Sequence, residues 1–217
     1  MSNYILKYGR DSRVKYISHL DFVRCFHRAV RRSKLNFIFS QGFNPHPVMT
    51  IAQPLPVGVT SECEYMKVGF ASELPAEEIV DELNKNMPPG FTVYSAYKLK
   101  GKEIDLTKID SAVYITETEC AAPADVNILL EKDELIVPKK TKSGIKDSDI
   151  RPHIFGLEDL GYENGAQKLK MHISCGSKYN LKPETVIEAM HKYCPGFEPV
   201  FTAVHKTHML ACGKDIL

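Results

Sequence analysis

The sequence contains no apolar run near the ~20 residues that a membrane-spanning helix requires. Residues 1–7 also lack the long apolar segment of a secretory signal. These absences exclude a helical membrane protein and a typical exported one. The composition, 43% hydrophobic and 25% charged, is that of a globular chain. We therefore expect a cytoplasmic protein with no membrane partner.

Cysteine is present, but in no metal-binding or redox pattern. No C-x-x-C pair occurs, which excludes a zinc ribbon, an iron–sulfur run and a thioredoxin motif. In a reducing cytosol such cysteines are mostly small core hydrophobes. We therefore expect no metal site and no cofactor. The six residues are Cys25, Cys63, Cys120, Cys175, Cys194 and Cys212.

The usual motifs of autonomous enzymes are also missing. The chain has no H-E-x-x-H, Walker loop, G-x-G-x-x-G or G-x-S-x-G sequence, which favours a non-catalytic role. His19 is the catalytic candidate, because a neutral imidazole at the first position of a helix could act as a general base. Alternatively, it bonds a neighbouring backbone group. His205 and His208 are three apart in a strand-like segment, which predicts opposite faces and a poor pair for one metal ion.

Charge is distributed unevenly along the chain. The net charge is +1, but residues 1–34 hold nine Lys or Arg and two Asp, a net +7, whereas the other residues carry −6. A clustered field of one sign attracts polyanions even when the total charge is near zero. The pattern indicates a negatively charged partner for the N-terminal segment.

One pattern of elements occurs twice. Residues 77–91 and 184–197, which start 107 positions apart, each combine an acidic start, apolar residues at helical spacing and a Pro-Gly-Phe end. The upstream elements correspond more loosely: strand-like runs at 4–8 and 112–116, at 65–70 and 169–173, and first helices at 21–33 and 124–132.

This repetition predicts an α+β fold of two ferredoxin-like βαββαβ halves related by internal duplication. The halves are residues 1–100 and 111–217, with a link at 98–110. A chance match of proline and glycine positions is the alternative. The second half has additional residues at 138–165, which we expect to form an exposed hairpin or a mobile loop.

The first helix of the first half has a basic face. Ser18 is a good N-cap, with Asp21 three residues later. On a helical wheel Arg24, Arg28 and Arg31 fall within about 60° of each other, with Arg32 one step aside. They lie opposite an apolar face made by Phe22, Val23, Phe26, Ala29 and Val30. A phosphate-binding stripe explains this face; a solvated face, or arginines paired with acids of the second half, are the alternatives. The predicted nucleic-acid-binding residues are Arg24, Arg28, Arg31 and Arg32, with a second cluster at Lys139, Lys140 and Lys142, extended by Lys146 and Arg151.

The segment after this helix reads as a fixed loop. Two prolines bracket His46, and Gly42 permits a positive φ, so residues 39–47 are predicted to be a rigid connection that could bind a partner. Alternatively, it is an ordered connection whose Phe43 fills the core. The predicted binding-loop residues are Ser40, Gly42, Phe43, Asn44 and His46.

Four stretches resemble the radical-SAM-linked protein family, a bacterial domain of unknown function found alone or on the C-terminal side of radical SAM proteins. They are residues 16–33, 40–47, 54–62 and 139–152, so the likeness extends over almost the whole chain. The resemblance implies cooperation with a radical SAM enzyme, with the chemistry in that partner, because this chain lacks the cysteine triplet of a radical SAM cluster.

Three hypotheses follow. The first is a non-catalytic RNA-binding or substrate-presenting accessory module that works with a radical SAM enzyme. The second is an RNA-processing enzyme that uses His19 as base, as the fold-level likeness to CRISPR repeat-processing endonucleases suggests. The third is a protein–protein adaptor.

Overall fold

The computed structural model describes residues 1–101, 104–141 and 144–217. The chain forms two compact units, residues 1–108 with Ile216 and residues 109–215 with Leu217. The boundary lies inside the segment 98–110. Across the described residues, no helix has both the length and the apolar character needed to cross a bilayer.

The first unit is a small antiparallel sheet with two helices. Strand β1 lies between β3 and β4, and β2 pairs with β3, so the strand order is β4-β1-β3-β2. The elements follow the chain as β1 (Ser2–Arg10), α1 (His19–Arg32), β2 (Met49–Ile51), β3 (Val59–Phe70), α2 (Ala76–Asn86) and β4 (Phe91–Lys98).

Aromatic side chains hold α1 against the sheet of the first unit. Phe22 and Phe26, one turn apart on α1, are both buried. The ring of Phe22 stacks on Tyr8 of β1, with centroids 5.1 Å apart and planes 6° from parallel. Burying a phenylalanine contributes about 1.5–3 kcal/mol. Because this apolar face is fixed to the sheet, the opposite face of α1 must point to solvent.

The second unit repeats the same strand order. Strand β5 lies between β9 and β10, and β8 pairs with β9, all antiparallel, which gives β10-β5-β9-β8. Strands β6 and β7 pair with each other as a hairpin. The elements are β5 (Ile109–Cys120), α3 (Asn127–Leu130), β6 (Ile136–Thr141), β7 (Gly144–Asp149), β8 (Ile154–Glu163), β9 (Ala166–Ser174), α4 (Pro183–Tyr193), β10 (Pro199–Ala211) and β11 (Lys214–Asp215).

Strands and helices together make the protein an α+β protein, as predicted. Helices α2 and α4 each begin one residue before the predicted segment and end before its Pro-Gly-Phe end, because both carry a clear apolar periodicity. The helix predicted at 124–132 shrinks to the single turn of α3.

Two details of the second unit differ from the prediction. Only β6 and β7 form the expected hairpin; residues 154–163 are strand β8 of the sheet, not additional material. Along β8 only Ile154 and Leu157 are buried, so the alternation that signals a strand is absent from its sequence.

The predicted placement of His205 and His208 on opposite faces is wrong. The register of β10 against β5 shifts between Lys206 and His208, so His205 lies opposite Ile115 and His208 opposite Val113. The extra residue of this β-bulge cancels the odd spacing and turns both histidines to one face of the strand.

Candidate functional site

A groove of about 600 Å³ opens in the first unit between α1 and the segment that follows it. This volume is within the range of small-molecule sites, about 300–1,000 Å³. Three imidazoles and the hydroxyls of one serine and one threonine supply polar atoms, and no described residue of the lining is acidic. The lining comprises His19, Val23, His27, Ser40, His46, Pro47, Val48, Met49, Thr50, Ile51 and Pro54.

The N-terminal cap of α1 sets the residue at which the helix starts, and one side of the helix then lines the groove. The Ser18 hydroxyl accepts a hydrogen bond from the backbone N–H of Asp21, with 3.2 Å between N and Oγ, and caps the helix as predicted. The helix therefore starts at His19. Residues at intervals of four share a face, which places His19, Val23 and His27 along the groove.

The four predicted arginines of α1, here called the arginine row, lie on the exposed surface of the helix. They are Arg24, Arg28, Arg31 and Arg32. Arg24 pairs with Asp21, with Nη1 3.0 Å from Oδ1. Arg31 donates to the backbone carbonyl of Pro45 at 3.3 Å, and Arg32 donates to the carbonyl of Asn86. Arg28 makes no ion pair or hydrogen bond with any described residue. Asp21 is thus the only described carboxylate that neutralises a member of the row.

The predicted binding loop is closed by its own hydrogen bonds. The Ser40 N–H donates to the His46 carbonyl at 2.8 Å, and the His46 N–H donates to Ser40 Oγ at 3.2 Å. Phe39 and Pro47 form an antiparallel bridge beneath them. Gly42 has a φ of 121°, which a side chain would strain. The loop is therefore an ordered turn, as its Gly and Pro residues indicate.

The loop tip points away from the core. Phe43 has a relative exposure of 105%, and Asn44 beside it is exposed. The interpretation of Phe43 as a core residue is therefore wrong. A fully exposed aromatic ring at the tip of an ordered loop is available for stacking.

His27 is the site residue that the sequence interpretation missed. Its ring faces His46 across the groove, with centroids 6.0 Å apart and planes 27° from parallel. Burial, the His46 imidazole and the Arg31 guanidinium lower the pKa of His27 below its ordinary value of 6.5. The i, i+4, i+8 spacing of residues 19, 23 and 27 was the signal that could have found it.

His19 lies at one end of the groove, half-buried. Its imidazole makes no hydrogen bond within the described residues, so the simple backbone-bonding alternative does not hold there. A second, very small cavity beneath it is lined by Tyr8, Arg10 and Glu64 among others. No group of three metal-binding side chains occurs in the part of the chain that the structure describes.

The second predicted basic cluster belongs to the other unit. Lys139 and Lys140 lie on β6. Lys146 lies on β7, opposite Lys139, and is exposed. Lys142 lies outside the described residues. The Arg151 guanidinium donates to the carbonyls of Leu130, Lys132 and Ile154, at 3.0–3.2 Å. Arg151 therefore has a structural role, and its part in a nucleic-acid-binding cluster stays a prediction.

Taken together, the fold and the site define an α+β protein with a histidine-lined groove, free of acids among its described lining residues, beside an arginine-bearing helix. Its family is shown by a sequence match over residues 3–183. The chain belongs to the family described as "Uncharacterized protein conserved in bacteria (DUF2344)". The resemblance to a bacterial domain family is thereby confirmed; the association with radical SAM proteins stays a prediction.

Structural comparison supports the fold alone. The chain is similar to a chain of the "Crystal Structure of a Cbf5-Nop10-Gar1 Complex", with a TM-score of 0.51 and 8% sequence identity. The match covers 95% of this chain and 48% of that one, so this chain spans about half of its neighbour's length. No curated protein sequence matches the chain.

Proposed function

We propose that this protein is a non-catalytic RNA-binding module that uses the exposed face of α1 and the adjoining 40–46 loop. The observation that carries the proposal is the arginine row: Arg28, Arg31 and Arg32 are exposed and not neutralised by any described carboxylate. Like charges on one helix face repel and do not stabilise the helix, which supports a negatively charged partner for this face. Guanidinium groups match the oxygens of phosphate in pairs.

The neighbouring surface suits a single strand. Proteins that bind single-stranded RNA combine a cationic track with aromatic side chains on which bases stack. The arginine row offers the track, and Phe43 offers an exposed ring at the loop tip. The contribution of each stacked base is about 1–3 kcal/mol.

Replacing Arg24, Arg28 and Arg31 together by alanine tests the proposal. Binding of a labelled single-stranded RNA pool is measured by anisotropy at ~50 mM and ~200 mM salt. Each lost phosphate contact should reduce the slope of log K against log salt by about 0.7. Because Arg24 is paired with Asp21, the triple variant should lose the contacts of Arg28 and Arg31, about 1.4 units of slope.

A matched control removes the same charge elsewhere. The exposed Lys168, Lys178 and Lys214 of the second unit are replaced by alanine together. Circular dichroism should show both triple variants folded. Equal RNA binding by the two triple variants, or wild-type binding that does not respond to salt, would refute the proposal.

We further propose that the module presents RNA to a radical SAM enzyme. The family resemblance of residues 16–33, 40–47, 54–62 and 139–152 supports this partner, and the scattered cysteines support placing the chemistry in it. Affinity purification with and without nuclease should recover a radical SAM protein in both samples. Recovery that disappears with nuclease would show that RNA alone joins them; no recovery in either sample would remove the partner from the proposal. Recovery in both samples combined with no RNA binding would instead favour an adaptor.

The two units support the proposal of an internal duplication of a ferredoxin-like βαββαβ unit. When the β6–β7 hairpin is set aside, each unit has four antiparallel strands in the same order. The first strand lies between the third and the fourth strands, and the second strand lies at the edge beside the third. Superposing the units of an experimental structure tests this. Failure of α1 and α2 to fall on α3 and α4 would reject a common origin.

A catalytic alternative has one specific observation in its favour. His19 and His46 line the same groove, which would allow one imidazole to act as base and another as acid on a phosphodiester. The alternative requires a defined RNA product that is lost in His19→Ala. Absence of any product from a broad RNA pool would reject it.

A further inference from the structure

The histidine end of the groove is built to receive an anion. His27 and His46 face each other at 6.0 Å, and Arg31 acts on His27 from the same helix. His19 lines the other end. Because no described lining residue is a carboxylate, nothing in the described lining competes with an anionic ligand for Arg31 or for the N–H groups of the imidazoles.

Ser40 and Asn44 hold the His46 side chain to the loop. The Ser40 hydroxyl oxygen accepts from the His46 backbone N–H at 3.2 Å and lies 3.0 Å from His46 Nδ1, and the Asn44 carbonyl oxygen lies 3.4 Å from the same ring nitrogen. The loop therefore engages Nδ1. Nε2 makes no hydrogen bond with a described residue, and it can donate to an anion whenever it carries a proton.

Apart from Thr50, the rest of the groove lining is apolar. Val23 comes from α1, Val48 precedes β2, and Met49 and Ile51 are the two ends of β2. An apolar surface next to a cluster of donors matches a ligand with one charged end and one planar, weakly polar end. A nucleotide has this chemistry, and the groove volume of about 600 Å³ accommodates one.

We infer that this groove holds one unpaired nucleotide of the bound strand, with its phosphate at Arg31, His27 and His46 and its base against Val23, Met49 and Ile51. The inference rests on the proposed RNA-binding function and adds a specific site to it. The arginine row then follows the neighbouring phosphates, and the groove selects strands with a base free to leave the stack.

Isolated ligands separate the site from the general attraction of RNA. Adenosine 5′-monophosphate, uridine 5′-monophosphate, adenosine and inorganic phosphate are titrated into the full chain, and the histidine ring resonances are followed by NMR across pH. Both nucleotides should raise the pKa of His27 and bind more tightly as pH falls. Adenosine should leave this pKa unchanged, and phosphate should bind at least tenfold more weakly than the nucleotides because it lacks the base contacts.

Two variants and one control complete the test. His27→Gln should weaken nucleotide binding about tenfold, since a hydrogen bond to a charged group is lost. His46→Gln, at an exposed position, repeats the test should the half-buried His27 variant be unstable. His208→Gln changes an exposed histidine of the second unit and should bind as the unmodified protein does.

The outcomes distinguish the two proposals. The groove site is overturned if the nucleotides bind no more tightly than adenosine, or if they bind equally well to all three histidine variants. This holds even if the arginine triple variant still has weaker RNA binding. Nucleotide binding in the groove without any RNA binding overturns the RNA-strand assignment and the proposed function together. Equal binding of phosphate and nucleotides overturns the base pocket.

Discussion

The Arg31 guanidinium donates a hydrogen bond to the Pro45 carbonyl, with Nη2 3.3 Å from the oxygen. This contact joins the arginine row of α1 to the loop that carries His46 and Phe43. Its acceptor is an uncharged backbone oxygen, so the positive charge of Arg31 is not cancelled by the bond. Arg31 therefore both positions the loop and remains available to an anion.

Arg31→Ala should loosen the 40–46 loop. A hydrogen bond of this kind is worth about 0.5–1.5 kcal/mol, so the amides of Ser40 and His46 should exchange with deuterium roughly three- to tenfold faster. Arg28→Ala removes an equal charge with no such bond and should leave their exchange unchanged. Equal exchange in the two variants would show that the Arg31 contact does not hold the loop.

Asp21→Asn should strengthen RNA binding while weakening the fold. The Asp21 carboxylate pairs with Arg24 and accepts a hydrogen bond from Ser18, and these two contacts hold its pKa below the ordinary value, Ser18 having the larger effect. The uncharged amide of the variant no longer forms an ion pair with Arg24. Arg24 can then contact a phosphate, so the slope of log K against log salt should increase by about 0.7. The loss of a negative charge in the first turn should lower the urea midpoint of unfolding.

Asp11→Asn is the control for that change. Asp11 pairs with Arg13 outside α1, and its replacement alters the net charge by the same amount. Its effect on RNA affinity should be small. A similar gain in both variants would mean that total charge, not the arginine row, governs binding.

Alanine substitutions at Phe43 and Phe26 should separate an effect on RNA binding from an effect on the stability of the fold. Phe43→Ala, at a fully exposed position, should change the free energy of unfolding by less than about 0.5 kcal/mol but weaken single-stranded RNA binding by about 1–3 kcal/mol. Phe26→Ala removes a buried ring of the core and should cost about 3–5 kcal/mol of stability. Unchanged RNA affinity in Phe43→Ala would exclude the loop tip from the interface.

His27 should make the protein sensitive to mild acid. Its folded-state pKa is lowered, chiefly by burial, so the folded protein binds this proton less readily than the unfolded chain does. The resulting stability is fully present above the ordinary pKa of 6.5 and is lost as pH falls through the lower folded value. Urea midpoints measured from about pH 7.5 to about pH 5 should fall less in His27→Gln than in the unmodified protein.

The lowered pKa of His172 acts in the same direction and provides the comparison. Burial is its main cause, and Asp110 partly opposes it. His172→Gln should also reduce the acid sensitivity. The carboxyls with lowered pKa, such as Asp21 and Asp105, lose their contribution only near and below pH 3.8 and do not interfere in this window.

The elements with strong periodicity were predictable from sequence, and the irregular ones were not. Helices α1, α2 and α4 carry apolar residues at helical spacing, and Ser18 caps α1 where its hydroxyl indicates. Strand β8 lacks alternation because most of its side chains are exposed. The bulge at residues 206–208 depends on pairing with β5, which no local pattern in β10 reveals.

Some side-chain positions of the candidate site were also predictable from sequence, and others were not. The exposure of Arg24, Arg28 and Arg31 followed from the wheel, because the apolar face of α1 had to be buried. The pairing of His27 with His46 joins residues that lie nineteen positions apart in the chain and belong to different elements. Their meeting requires the loop to fold back onto the helix.

By itself, the sequence determined the α+β class, the basic face of α1 and the rigid character of the loop, because each depends on residues near one another in the chain. Tertiary structure alone decided that Arg31 contacts Pro45, that Phe43 faces solvent, and that an acid-free groove forms between helix and loop. Those outcomes depend on contacts between segments, whose geometry is set by the packing of the whole first unit.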